Sequence, residues 1–222
     1  LPSEFGAQAL PRAELLRRVL GEAAWPPRWE VWGYHNFQPH ETFRVAGVEM
    51  GESLEEFVER SQDYQARLLE FAVHAYRRAK GKVVGYFQFM FVEPWEGITW
   101  AVLDVERVPK KGFFALKEAS SPVLLSLVPY LERGEVGAPP LQEAWLVGDL
   151  DRPLSLRVRL RLEGPATLLL HEEEIALDAG EVRRFFSLGE LWESPLEVQA
   201  RFLPLREALA RIPPGAYRLV GE

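Results

Sequence analysis

Hydrophobic positions fall into three kinds of pattern along the chain. Between residues 11 and 23, Leu15, Leu16, Val19 and Leu20 lie on one side of a helical wheel and Arg12, Arg17, Arg18 and Glu22 on the other, with Pro11 at the start. This predicts a short amphipathic helix. Residues 53 to 80 repeat the pattern at greater length: Ser53 and Glu56 have capping-box spacing, and Leu54, Phe57, Val58, Tyr64, Leu68, Ala72, Ala75 and Tyr76 form an apolar stripe. After Gly81, nearly every residue from Val83 to Val92 is β-branched, aromatic or apolar, without alternation. Such a run predicts a strand covered on both faces, as in a parallel sheet. Residues 1 to 10 read as a shorter strand that gives out at Glu4, residues 101 to 108 as extended chain, and residues from Lys110 as a further helix ended by Pro122.

The third pattern begins near residue 128. Leu154, Leu156, Val158, Leu160 and Leu162 alternate with Ser155, Arg157, Arg159 and Arg161, as in a strand with one wet face. Further strands are predicted at 141 to 147, 166 to 171, 174 to 178, 181 to 187, 195 to 203 and 216 to 220, punctuated by Gly148, Gly164, Gly180, Gly189 and Pro195. Their length and spacing predict an all-β, immunoglobulin-like sandwich over residues 128–222. In residues 1–127, the order helix, glycine, buried strand is that of a barrel or doubly wound α/β unit. Ligand groups in such units lie beyond the carboxyl ends of the strands, which here means Glu93, Trp95 and Trp100. Residues 24 to 50 read as one long irregular loop with three tryptophans and two histidines, too aromatic for disorder and long enough to be functional.

Composition removes several possibilities. With 222 residues, 47% of them hydrophobic, the chain can bury one substantial core or two small ones. The net charge of -7 argues against nucleic acid and anionic membranes as partners. No run approaches the roughly 18 apolar residues of a membrane span, no signal peptide is read, and a cytoplasmic location is expected. Cysteine is absent, which excludes disulfides, thiolate metal sites and cysteine nucleophiles. His35, His40 and Glu41 follow no metal-ligand spacing, so no metal and no other cofactor is expected. A single asparagine, Asn36, and a preference for arginine over lysine fit a protein from a hot source.

The candidate chemistry is then a strand-end Glu4, a strand-end Glu93, and a wall of Trp25, Trp29, Trp32, Trp95 and Trp100. Carboxylates facing aromatic rings hold sugars, because ring faces meet C–H groups while acid oxygens accept from hydroxyls. The competing reading is that the tryptophans are core and the glutamates merely solvated. The stripe Arg157, Arg159, Arg161 reads as a wet strand face, not as a phosphate site.

Four stretches carry a resemblance: SEFGAQALP at 3 to 11, SQDYQA at 61 to 66, GYFQFMFVEPWEGITW at 85 to 100 and VPKKGFFALKEASSPVLLSL at 108 to 127. In order and spacing they resemble glycoside hydrolase family 2, with the β-mannosidase-like branch nearest. The resemblance implies that residues 1–127 are the last two β/α units of a TIM barrel, an α/β barrel remnant. It implies that Glu4 is the nucleophile at the end of the seventh barrel strand, and that the eighth-strand motif W-Q-x-N-D-x-W-P-x-x-S-W lies on Phe89 to Trp100. Here Phe89 replaces the subsite tryptophan, Met90 the glutamine, Val92 the asparagine, Glu93 the aspartate and Glu96 the proline. By the same resemblance Trp32, His35, Phe89, Glu93, Trp95 and Trp100 are expected to bind a carbohydrate substrate.

The implied reaction is retaining hydrolysis of a β-linked sugar, with a β-mannoside expected. It needs a second carboxyl group about 5 to 5.5 Å from the nucleophile. The family takes that acid/base from an Asn-Glu pair on the fourth strand, whereas Asn36 is followed by Phe37. The chain is therefore expected to be the C-terminal part of a larger enzyme, inactive alone, and to associate with its missing N-terminal part or with itself. The alternatives are a non-catalytic β-sandwich that binds carbohydrate or another partner, and a β-galactosidase- or β-glucuronidase-type specificity.

Overall fold

A computed structural model describes residues 2–129, 141–187, 211 and 218–222. The chain divides into two compact units, residues 1–121 and 122–222. The division falls at Pro122 and not at 127/128, because residues 123 to 129 form a strand that pairs within the second unit.

In the first unit α1 (Ala13–Leu20) buries Ala13, Leu15, Leu16 and Leu20, with Glu14 in its first turn and Arg17 and Arg18 in its last, charges that suit the helix dipole. Pro11 stands just before the cap, Arg12. The segment expected to be an irregular loop is folded: α2 (Trp29–Tyr34) and a π-helical turn (His40–Val45) enclose an aromatic core. In that core Trp32 stacks on Phe57 at 5.9 Å and meets Phe37 edge-on at 5.2 Å. The aromatic density signals burial among the aromatics themselves, which a helical wheel does not show.

The long helix α3 (Leu54–Arg78) starts at Ser53, whose side chain accepts from the Glu56 N–H at 3.2 Å. The Glu56 carboxylate reaches past the cap to accept from the Glu52 N–H at 3.1 Å. Its buried stripe is Leu54, Phe57, Ser61, Gln65, Leu69, Val73 and Arg77, rotated from the apolar one in the sequence, so Tyr64, Leu68, Ala72, Ala75 and Tyr76 are only half-buried. The cause lies across the interface. Residues 7 to 10 are buried backbone without a strand partner on that side, and buried N–H and C=O groups need bonds. Ser61 accepts from the Leu10 N–H at 3.1 Å, Gln62 donates to the Leu10 carbonyl at 2.9 Å, and Gln65 donates to the Ala7 carbonyl at 2.8 Å. The last helix, α4 (Lys111–Ala119), lies where the sequence places it.

Residues 83 to 92 do not form a buried strand. They make isolated parallel bridges, Phe5 with Gln88 and Val92 with Leu103. Val84 is 84% exposed, Phe87 61% and Phe91 60%. One face meets α3 through Tyr76 and Tyr86, 5.4 Å apart, and the other is covered only in part, by Trp100 beside Phe89 and Phe113 beside Phe91. A continuous apolar run encodes two faces that want cover, not the presence of the cover.

The second unit has six described strands: β1 (Val123–Pro129), β2 (Leu141–Gly148), β3 (Leu154–Glu163), β4 (Thr167–Leu177), β5 (Val182–Ser187) and β6 (Arg218–Gly221). They form two antiparallel sheets, β1-β2-β5 and β4-β3-β6. Ala144, Leu146, Val158, Leu160, Ile175, Leu177 and Phe186 from both sheets make one core. The strands expected at 166 to 171 and 174 to 178 are one strand, β4. The intervening glutamates belong to a cross-strand ladder, with Arg157 opposite Glu174 at 2.7 Å and Arg159 opposite Glu172 at 3.0 Å. The strand expected at 195 to 203 lies outside the described residues.

Candidate active site

Glu4 is exposed, and its surroundings are set by Phe5. The Phe5 N–H donates to the Phe87 carbonyl at 3.1 Å, and the Phe89 N–H donates to the Phe5 carbonyl at 2.8 Å, so the two segments run parallel. Phe5 packs edge-on against Tyr76 at 5.3 Å, on the α3 side. Alternation along extended chain then turns Glu4 and Gly6, together with Phe87 and Phe89, to the opposite face. Gly6 lies directly on the next segment: a Cβ there would sit 2.1 Å from the Phe89 carbonyl oxygen and 3.4 Å from the Trp100 Cβ. Trp100 completes this group, its ring 5.9 Å from that of Phe89. The peptide bond between Phe89 and Met90 is cis.

A second group forms around Trp95, which is 41% exposed. His35 stacks on it at 5.4 Å with a 14° interplanar angle, and Tyr34 meets its edge at 6.1 Å. His35 Nδ1 lies 2.6 Å from the Glu96 carbonyl. A carbonyl only accepts, so Nδ1 carries the proton, the tautomer in which Nε2 is left as the acceptor.

Two residues expected at the site do not face it. Trp32 is wholly buried in the aromatic core, with its indole N–H given to the Ala23 carbonyl at 2.8 Å. Glu93 is also buried. One oxygen accepts from the Thr99 hydroxyl at 2.8 Å, and the other from the Lys110 ammonium at 2.9 Å and the Thr99 N–H at 3.3 Å. Both side chains of the Glu93–Lys110 pair are only 1% exposed. Burial pushes Lys110 below the usual lysine range, against the opposing pull of Glu93 and Asp104. With its oxygens so engaged, Glu93 anchors the turn that carries Trp95 and Trp100; it is not free to bind a ligand. Its partner Lys110, seventeen residues on, bears no local mark of that role.

The polar residues that assemble this region lie inside the motif stretches, but their roles are not legible there. Gln8, Ser61, Gln65 and Lys110 are buried and hydrogen-bonded to backbone or to Glu93. The available signal was a polar residue inside an apolar stripe, a more informative observation than an exposed apolar one. Apart from this region, an apolar depression of about 700 Å³ lined by Trp29, Pro39, Phe43, Val48 and Met50 carries one carboxylate, Glu49; of the tryptophan wall expected from the sequence it holds Trp29, and it holds none of the residues that the resemblance implies as ligands.

Comparison with known proteins agrees with the motif resemblance. No family model matches the chain. Beta-mannosidase B of Aspergillus niger is 27% identical over 173 residues, 72% of this chain and 20% of that protein. Beta-mannosidase B of Emericella nidulans is 28% identical over 185 residues, 77% of this chain and 22% of that protein. The chain thus spans about a fifth of the length of these relatives. Among solved structures, a β-D-mannosidase from Dictyoglomus thermophilum superposes with a TM-score of 0.70 at 20% identity, over 84% of this chain and 23% of that one. An exo-chitosanase from Amycolatopsis orientalis does so with a TM-score of 0.61 at 16% identity, over 85% and 23%. At those identities the structural likeness is one of fold.

Proposed function

We propose that this chain, a β-mannosidase-like relative of glycoside hydrolase family 2, is the C-terminal portion of a longer retaining β-mannosidase, with Glu4 as nucleophile. The observation that carries the reading is the placement of Glu4: exposed, at the end of a segment that runs parallel to residues 87–89, on the face it shares with Phe87 and Phe89. The Glu4 carboxylate attacks the anomeric carbon, and the bond from that carbon to the leaving oxygen breaks. A second carboxyl group, supplied from outside this chain, gives the leaving oxygen its proton. Water then gives up a proton to that second carboxylate and attacks the glycosyl ester, releasing the sugar and restoring Glu4.

Phe89 and Trp100 offer apolar faces to the sugar, and His35 Nε2 and the edge of Trp95 border the site. The uncovered apolar edge at Val84, Phe87 and Phe91 is where the rest of the barrel packs, and without that cover the isolated chain self-associates. The 222-residue chain alone hydrolyses nothing, since general acid help is worth about 10² to 10⁴ in rate and the sugar pocket is incomplete.

The test is a 2-fluoro-mannosyl inactivator applied to the longer protein. It is expected to label the peptide containing Glu4, and Glu4→Gln to abolish labelling. A label on another carboxylate, or turnover of nitrophenyl β-mannoside by the 222-residue chain that disappears in Glu4→Gln, refutes the assignment.

A further inference from the structure

Three pieces of chain far apart in sequence meet at Gln8: the segment that carries Glu4, the turn at residues 35 to 38, and the turn at residues 93 to 100. One buried side chain bonds to all three. Gln8, on the Glu4 segment, donates from Nε2 to the Asn36 carbonyl at 2.9 Å and to the Ile98 carbonyl at 2.8 Å, and its Oε1 accepts from the Gln38 N–H at 2.8 Å. Both amide protons and the carbonyl oxygen are engaged, so the carboxamide has one orientation and no freedom to rotate. Among the described residues, the hydrogen bonds that tie the 35–38 turn to the Glu4 segment run through this group alone. The two turns are in turn tied to each other by the Ile98 N–H donating to the His35 carbonyl at 2.7 Å and by His35 Nδ1 on the Glu96 carbonyl. The Asn36 backbone beside His35 is in the left-handed region, at φ 68°, a conformation that asparagine tolerates and that external bonds hold in place.

We infer that Gln8 is a positioning residue that sets His35 and the Trp95 turn against Glu4. It does not touch substrate; it acts through His35. This rests on the reading of Glu4 as nucleophile and His35 as a sugar ligand. A leucine or methionine at position 8 fills similar volume but frees the 35–38 turn to shift relative to Glu4. Displacements of about 1 Å at a reacting centre cost on the order of 10²-fold in rate.

Two measurements test the inference. In the longer protein, a double-mutant cycle compares Gln8→Met and His35→Ala in the hydrolysis of nitrophenyl β-mannoside. Gln8→Met is expected to lower kcat/KM about 30- to 100-fold alone, yet less than about threefold when His35 is already alanine, because coupled residues are not additive. Additive losses, or a Gln8→Met loss that is unchanged without His35, overturn it. Without any need of activity, imidazole 15N spectra of the 222-residue chain report the His35 tautomer: Nδ1–H in the wild type and a mixture in Gln8→Met. An unchanged tautomer overturns the inference even if the enzyme reading stands; a normal tautomer response in a protein with no glycosidase activity overturns the enzyme reading and leaves the clamp. Gln8→Glu serves as the second variant. It keeps the acceptor for Gln38 but turns a carboxylate oxygen toward two carbonyls, and is expected to give the same coupled loss. If both variants fail to fold, Gln8 is structural and the inference is wrong.

Discussion

Replacing Lys110 with methionine should unfold the first unit more readily than any surface change, and the size of the effect follows from its contacts. The ammonium makes two bonds, to Glu93 and to the Ala9 carbonyl, both at 2.9 Å. Methionine keeps most of the volume and removes both. Glu93, at 1% exposure, is then a buried carboxylate with only Thr99 as partner, and breaking a buried pair by removing one member costs about 3 to 5 kcal/mol. The Ala9 carbonyl, left without that donor, adds about 1 kcal/mol. Glu93→Gln on top of Lys110→Met should recover part of the loss, since the remaining amide carries no charge. Guanidinium unfolding followed by tryptophan fluorescence is a suitable assay, because five of the seven tryptophans lie in residues 1–121. A Lys110→Met protein within about 1 kcal/mol of the wild type, or a double variant less stable than Lys110→Met alone, would show that Glu93 and Lys110 do not form a closed buried pair.

Three further outcomes are expected. Gly6→Ala should cost about 3 kcal/mol, since its Cβ would meet the rigid Phe89 carbonyl and overpacking against backbone cannot relax cheaply; an unchanged melting temperature would refute the close approach. Ser53→Ala should cost about 1 kcal/mol by leaving the Glu56 N–H uncapped, read from the same guanidinium curves. Burial, with Arg78 and Arg77 adding to it, pushes His74 down to about 4 from 6.5. The unfolded chain therefore takes up this proton first, and stability should be level above pH 6.5 and fall between 6.5 and about 4. The ring is partly exposed, so after screening the drop attributable to His74 is about 1 kcal/mol. A His74→Gln protein should lose that part of the slope, and an identical pH profile in the two proteins would dismiss it.

Local pattern was enough for α1, α3 and α4, for the capping serine at 53, and for β3 with its alternating arginines, because each of these is a periodicity of neighbouring residues. The motifs around Glu4 and Trp100 were likewise legible as a resemblance. The tertiary structure alone decided what each apolar or acidic position faces. Val83 to Val92 has the composition of a covered strand, yet among the described residues one face meets α3 and the other, with Phe87 and Phe91 more than half exposed, is only partly covered. Trp32 and Trp95 are the same residue type in equally aromatic surroundings; one is sealed by Phe37 and Phe57 and the other stays partly exposed beside His35. Glu93 was read as a site carboxylate because its partner, Lys110, comes from beyond a turn, and Gln8, Ser61 and Gln65 carried no legible role because the backbone they satisfy lies 28 to 90 residues away in the chain. Periodicity states which face of an element is apolar, whereas the burial of a charge or the bond of a carboxamide is a property of two segments at once, and only the folded chain brings the second segment to the first.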